Sequence, residues 1–121
     1  MIYIREKKEV LNEGLEEGFR ELLLTALPKK VKNTTVYYLI GNDRASDKAE
    51  IKFHYNGMGI LLNLSGHKII KSIVIDVHSI VSYEEDGTKA ASFSYESVGV
   101  ENGSLIFRES RRSNQYLSIK I

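Results

Sequence analysis

The sequence predicts an α+β fold: a single two-layer domain over residues 1–121, with two helices covering one face of a largely antiparallel six-stranded sheet, in the order α-β-β-β-α-β-β-β. Three features carry that expectation. Between Glu6 and Leu27 the apolar residues recur at helical spacing. Between residues 66 and 83 they fall within one arc of a helical wheel. Elsewhere, short segments alternate apolar and polar residues between turn signals, as half-buried strands do.

At the start, Ile2 to Arg5 alternates and offers a short strand or a lead-in. In the first helix, Val10, Leu11, Leu15, Phe19, Leu22, Leu23 and Ala26 form one stripe, with Glu9, Glu13, Glu16 and Glu17 largely outside it. Early acidic residues and Lys29-Lys30 just beyond suit the helix dipole, and Pro28 ends the segment. Gly14 and Gly18 share one side, each at a cost of about 1 kcal/mol relative to alanine. Close packing on a sheet, or a seam for another helix, would account for them. Thr35 to Ile40 then reads as an interior strand with both faces apolar, and Gly41 to Asp47 as a turn-rich connection. Ala49 to Tyr55 alternates cleanly, Asn56-Gly57 signals a hairpin, and Gly59 to Leu64 returns. Later strands are expected at Lys89 to Tyr95, Ser104 to Glu109 and Leu117 to Ile121, with turns at Glu101-Asn102-Gly103 and at Arg111 to Asn114.

The stretch from Ser65 to Gly87 decides the topology, because it can be drawn in two ways. Ile69, Ile70, Ile73, Val74, Ile75, Val77, Ile80 and Val81 are β-branched, which favours a strand by up to about half a kcal/mol per residue. The wheel favours a helix over residues 66–83: all of these except Ile75 share an arc, and Lys71, Ser72, Asp76, His78, Ser79 and Ser82 lie opposite. Strict alternation fails, since Lys71 and Ser79 interrupt one face. Ser65 can cap the start and Asp86-Gly87 can stop the end. The helix is the expectation. The alternative is a strand, which leaves one N-terminal helix against an antiparallel β meander.

Composition narrows the classes of function. The hydrophobic fraction of 42% with 27% charged residues is ordinary globular usage. No cysteine is present, so neither a disulfide framework nor a thiolate metal site can form, which suits a reducing, cytoplasmic setting. Seventeen basic and sixteen acidic residues nearly cancel and argue against a wholesale electrostatic grip on nucleic acid. The Met1 end has no apolar signal core and no apolar run approaches 18 residues, so neither secretion nor a membrane span is expected.

No catalytic residue, cofactor or metal site is expected. His54, His67 and His78 lack metal-ligand spacing, and His78 meets Asp76 on one side only if the stretch is a strand. Asn56-Gly57-Met58-Gly59 lacks the third glycine and the following helix of a dinucleotide-binding loop. Glu84-Glu85-Asp86, and Asp43 with Asp47, are acidic groups in turns, where a carboxylate has a conformational use or can bind a cation. Arg108, Arg111 and Arg112 form a basic hairpin near Tyr116, suited to phosphates or to an acidic partner, or simply to keeping an edge soluble. With helices on one sheet face, the open face would carry Glu50, Lys52, His54, Ser92, Ser94, Ser118 and Lys120.

A helix ending at Pro28, the strand VYYLI, SDKAEIKFHY in a hairpin and later DGTKAASFSY together resemble the small α+β immunity proteins of bacterial polymorphic toxin systems, in particular the YezG-like group. The resemblance spans about the first half plus one strand; the chain departs from that group in having no tryptophan and in being shorter. It implies a cytoplasmic protein that blocks a cognate toxin by binding it. Absence of a catalytic constellation leads the same way. The expectation is a non-enzymatic, protein-binding inhibitor, an immunity or phage-type anti-defence protein, whose partner is a toxin or defence component. Its candidate binding residues are Arg108, Arg111, Arg112, Tyr116, Glu50, Lys52 and His54. The alternative is a nucleic-acid or nucleotide-binding module built on the Arg108/Arg111/Arg112 hairpin. A dimer is compatible with either.

Overall fold

The computed structural model describes residues 3–6, 33–54, 59–66, 69–76, 79–109 and 114–120. These residues form one antiparallel sheet and contain no helix. The strands are β1 (Tyr3–Glu6), β2 (Thr34–Ile40), β3 (Asp43–His54), β4 (Gly59–Leu64), β5 (Ile70–Ile75), β6 (Ile80–Glu84), β7 (Lys89–Phe93), β8 (Ser97–Glu101), β9 (Ser104–Arg108) and β10 (Tyr116–Lys120). Their spatial order is β1-β8-β9-β10-β2-β3-β4-β5-β6-β7. Strands β2 to β7 run as an uninterrupted meander, β8 to β10 as a second, and the two join where β10 pairs with β2.

This architecture corrects the expected α+β layout of six strands and two helices. The helix expected over 66–83 is the β5–β6 hairpin. A bulge at Ile70/Ser72 inserts one residue into β5, and the connection between the paired Ile75 and Ile80 is four residues long. Residues facing inward are therefore Ile70, Ile73, Ile75, Ile80 and Ser82, at intervals that strict alternation does not produce. Val74 and Val81 face outward opposite each other, so both faces of the hairpin carry apolar groups. Two in-phase pairs separated by a bulge and a loop imitate a helical stripe. The helix expected over 6–27 lies, after Glu6, outside the described residues. The turn-rich 41–47 segment is also shorter than expected: Ile40 pairs directly with Asp43 across a two-residue turn, Gly41-Asn42. Strand β8 was not anticipated.

Connectivity requires the sheet to curl. Only Ser94, Tyr95 and Glu96 join β7 to β8, which hold the tenth and second places in the sheet. A flat sheet would separate them by eight strand spacings, roughly 38 Å. Four Cα–Cα steps reach at most about 14 Å. The sheet therefore forms a curled half-barrel, with an inner face that is mainly apolar among the described residues. One inward row runs Val98, Phe107, Leu117, Tyr38 and Ala45; another runs Ile51, Leu62, Ile73, Ser82 and Ala91. Most of these side chains are fully buried, and burying each large one stabilises by about 1.5–3 kcal/mol.

Tyr95 sits where the β7–β8 crossing passes over this core. Its ring meets Phe107 edge-on and its hydroxyl donates to the Asp76 carbonyl, 2.7 Å away. Burial, then the Asp76 charge, raises its pKa well above the usual phenol value. The turns follow their residues. Asn102 and Gly103, with φ of 52° and 76°, make the twisted two-residue turn between β8 and β9. Between β6 and β7, Asp86 Oδ1 accepts the Thr88 N–H at 2.8 Å, and its bonds with Thr88 lower the Asp86 pKa. Among the described residues no buried side-chain polar atom lacks a hydrogen-bond partner.

Candidate partner-binding site

The candidate residues lie on the outer face of the curl, and strand register decides which of them meet. Arg108 on β9 stands directly opposite Tyr116 on β10, then Leu39 on β2, then Arg44 on β3. In the next row, Gly99, Ile106, Ser118, Tyr37 and Ser46 face one another. Neighbouring strands lie about 4.8 Å apart and same-face residues about 6.7 Å apart along a strand, which makes Tyr37 and Tyr116 diagonal neighbours. Together with Ile106, Arg108, Asn114, Gln115 and Ser118 they line a groove of about 430 Å³. Tyr37 is 46% exposed, and only Ile69 matches it as an open, large hydrophobic side chain among the described residues.

Two polar contacts shape the groove. The Arg108 guanidinium donates through Nη2 to Glu101 Oε2 at 3.1 Å. On this face of β8 the only residue between Ser97 and Glu101 is Gly99, so no side chain obstructs the reach from Arg108 to Glu101. The pair is partly exposed and contributes about 1 kcal/mol or less, but it holds the guanidinium against the sheet. Gln115 closes the opposite end: its Nε2 donates to Glu109 Oε2 and its Oε1 accepts the Gly41 N–H, each at 2.6 Å.

Of the residues expected from sequence, the fold brings Arg108 and Tyr116 together. Glu50 and Lys52 share the outer face but lie six and eight residues along β3 from Arg44, roughly 20–26 Å away. They form a solvent-exposed pair with each other at 3.7 Å. Arg111 and Arg112 lie outside the described residues, as do the His54 side chain, His67 and His78. Asp76 follows the last residue of β5 and is exposed. Tyr37 and Ile106 are not among the candidate binding residues expected from sequence. The alternation in TVYYLI already set Tyr37 apart from Val36 and Tyr38, but the pairing of β2 with β10 was invisible.

The carboxylates serve structure. Along β3, alternation turns Arg44, Lys48 and Lys52 outward and Asp43 and Asp47 inward. Asp47 accepts the Lys48 and Gly66 N–H groups at 2.7 and 3.0 Å. Asp43 Oδ2 accepts the buried Tyr38 hydroxyl at 3.4 Å, and burial together with that carboxylate raises the Tyr38 pKa. Among the described residues no three His, Asp or Glu side chains gather as a metal site, and no helix is long and apolar enough to cross a membrane. No family model, curated protein or solved structure matches the chain.

Proposed function

We propose that this protein is a non-enzymatic inhibitor that acts by binding another protein, as an immunity protein binds its toxin, and that it docks through the outer groove on β9, β10 and β2. The observation that carries this reading is the groove's composition: two tyrosines, one of them 46% exposed, beside an isoleucine and an arginine already tethered to Glu101. Tyrosine and arginine dominate binding hot spots because each offers a large, stiff contact area with a polar end. A scaffold of paired strands holds them in place before the partner arrives, which reduces the ordering cost of association.

The test is a pull-down from the native host, followed by calorimetric titration of the partner identified. The double variant Tyr37→Ala with Tyr116→Ala should weaken binding about 1,000-fold, since two hot spots at about 2 kcal/mol each remove about 4 kcal/mol. Absence of any partner at micromolar bait, or equal affinity of the variant, overturns the proposal.

One observation favours a second reading. Arg44, Lys48, Lys52, Arg108 and Lys120 share the outer face with the two tyrosines, against Glu50 and Glu101. Basic groups around aromatic rings also suit single-stranded nucleic acid. That reading requires salt-dependent binding of a labelled oligonucleotide, lost in Arg44→Glu with Lys48→Glu.

A further inference from the structure

Ile69, 59% exposed, lies at the mouth of the curl, on the far side of the β2–β3 turn from the outer groove. It lines a second groove, of about 490 Å³, with Ile40, Asp43, Ile70, Ser82 and Ala91. The walls are mostly aliphatic. Ser82 is already committed, donating to the Ala91 carbonyl. Among the described residues Asp43 is the only ionisable side chain lining the groove. A depression on the other flank of Ile69 is walled by Glu84, Glu85 and Asp86, and no basic side chain lines either hollow among the described residues. Among the described residues the mouth is thus apolar and negative, whereas the outer face is aromatic and largely basic.

We propose that the mouth groove receives a lysine side chain of the partner protein. The four-carbon stem lies along Ile69, Ile70 and Ala91, and the ammonium meets the Asp43 carboxylate. A lysine fits this chemistry because it combines an apolar stem with a compact charge. The inference rests on the partner-binding reading and gives that partner a second anchor. The hydrogen bond from the Gly41 N–H to Gln115 joins the two grooves, since Gly41 lines the mouth and Gln115 the outer groove. One partner can therefore span both.

Hexylamine, hexan-1-ol and hexanoate, titrated into isotope-labelled protein and followed by amide NMR shifts, test the groove. Hexylamine should move the Gly41, Asn42 and Ala91 signals and bind about tenfold more tightly than hexanol, the expected effect of one charge-assisted hydrogen bond. Asp43→Asn should reduce it to the hexanol level while keeping an acceptor for Tyr38, and Ile69→Ser should weaken both ligands. An acetylated, amidated Leu-Lys-Leu peptide should displace hexylamine. Equal binding of amine and alcohol, shifts centred on Tyr37 and Tyr116, or failure of the peptide to compete each overturn the proposal. Tyr37→Ala should leave hexylamine binding unchanged, so failure of the outer-groove reading and failure of this one give different results.

Discussion

Tyr95 stands edge-on against Phe107, with ring centroids 5.2 Å apart and planes at 76°, while its hydroxyl reaches the Asp76 carbonyl. These two contacts tie the β7–β8 crossing to β9 and to the β5–β6 connection, across the opening of the curl. Tyr95→Phe should cost about 1 kcal/mol, the net value of one hydrogen bond. Tyr95→Ala should cost about 3–5 kcal/mol, because it empties a fully buried aromatic site. Urea denaturation of the two variants measures both, and an alanine variant within about 1 kcal/mol of wild type would refute the clasp.

Gly41 meets two requirements at once. Its φ is +64°, and a Cβ placed on it would lie 2.8 Å from the Ala91 Cβ. Gly41→Ala should destabilise by about 2 kcal/mol, of which about 1 is the left-handed backbone penalty. Adding Ala91→Gly should restore the contact portion and leave the backbone portion. A double-mutant cycle separates them, and strict additivity would show that the two residues do not press on each other.

Alkaline conditions should weaken the fold through Tyr38 and Tyr95. Both phenols are held neutral in the folded state, with pKa values raised by burial first and by Asp43 or Asp76 second. In the unfolded chain they ionise near pH 10. Their contribution is therefore complete below about pH 10 and is lost as pH rises towards the folded-state values. Each tyrosine adds a slope of up to about 1.4 kcal/mol per pH unit. Melting temperature should fall steeply between about pH 10 and 11.5, and less steeply in Tyr95→Phe at equal starting stability. Parallel curves for the two proteins would exclude Tyr95 as a source.

Ser72 and Ser82 discriminate the hairpin from a helix. On a helical wheel both face solvent, whereas in the hairpin Ser72 faces outward and Ser82 is 2% exposed on the inner face. Ser82→Lys should cost more than about 3 kcal/mol by burying a charge, and Ser72→Lys about 0.5 kcal/mol or less. Similar melting temperatures for the two variants would favour a helix.

Much of the candidate site was only half legible. Arg108 and Tyr116 could be placed near one hairpin because the residues between them read as a turn. Glu50 and Lys52 were correctly seen as outward-facing, yet a face says nothing about distance along it, and they lie far from Arg108 on the same surface. Tyr37 enters the groove only because β10 pairs with β2.

What the sequence determined by itself was local: the extended segments around 35–40, 59–64 and 104–109, the Asn102-Gly103 turn, and the outward or inward sense of each alternating side chain. Those outcomes depend on backbone propensity and turn conformation, which act over a few residues. Tertiary structure decided what the stretch 66–83 became. There, β5 and β6 are each paired with a strand on either side, and the inner face accepts Ile73, Ile75 and Ile80 together. A bulge and a four-residue connection hid that pairing from any fixed period. The pairing of β10 with β2, which sets Tyr37 beside Tyr116, and the curl, which sets Gly41 beside Ala91, bury a mainly apolar inner face gathered from strands distant in sequence, a requirement no local segment records.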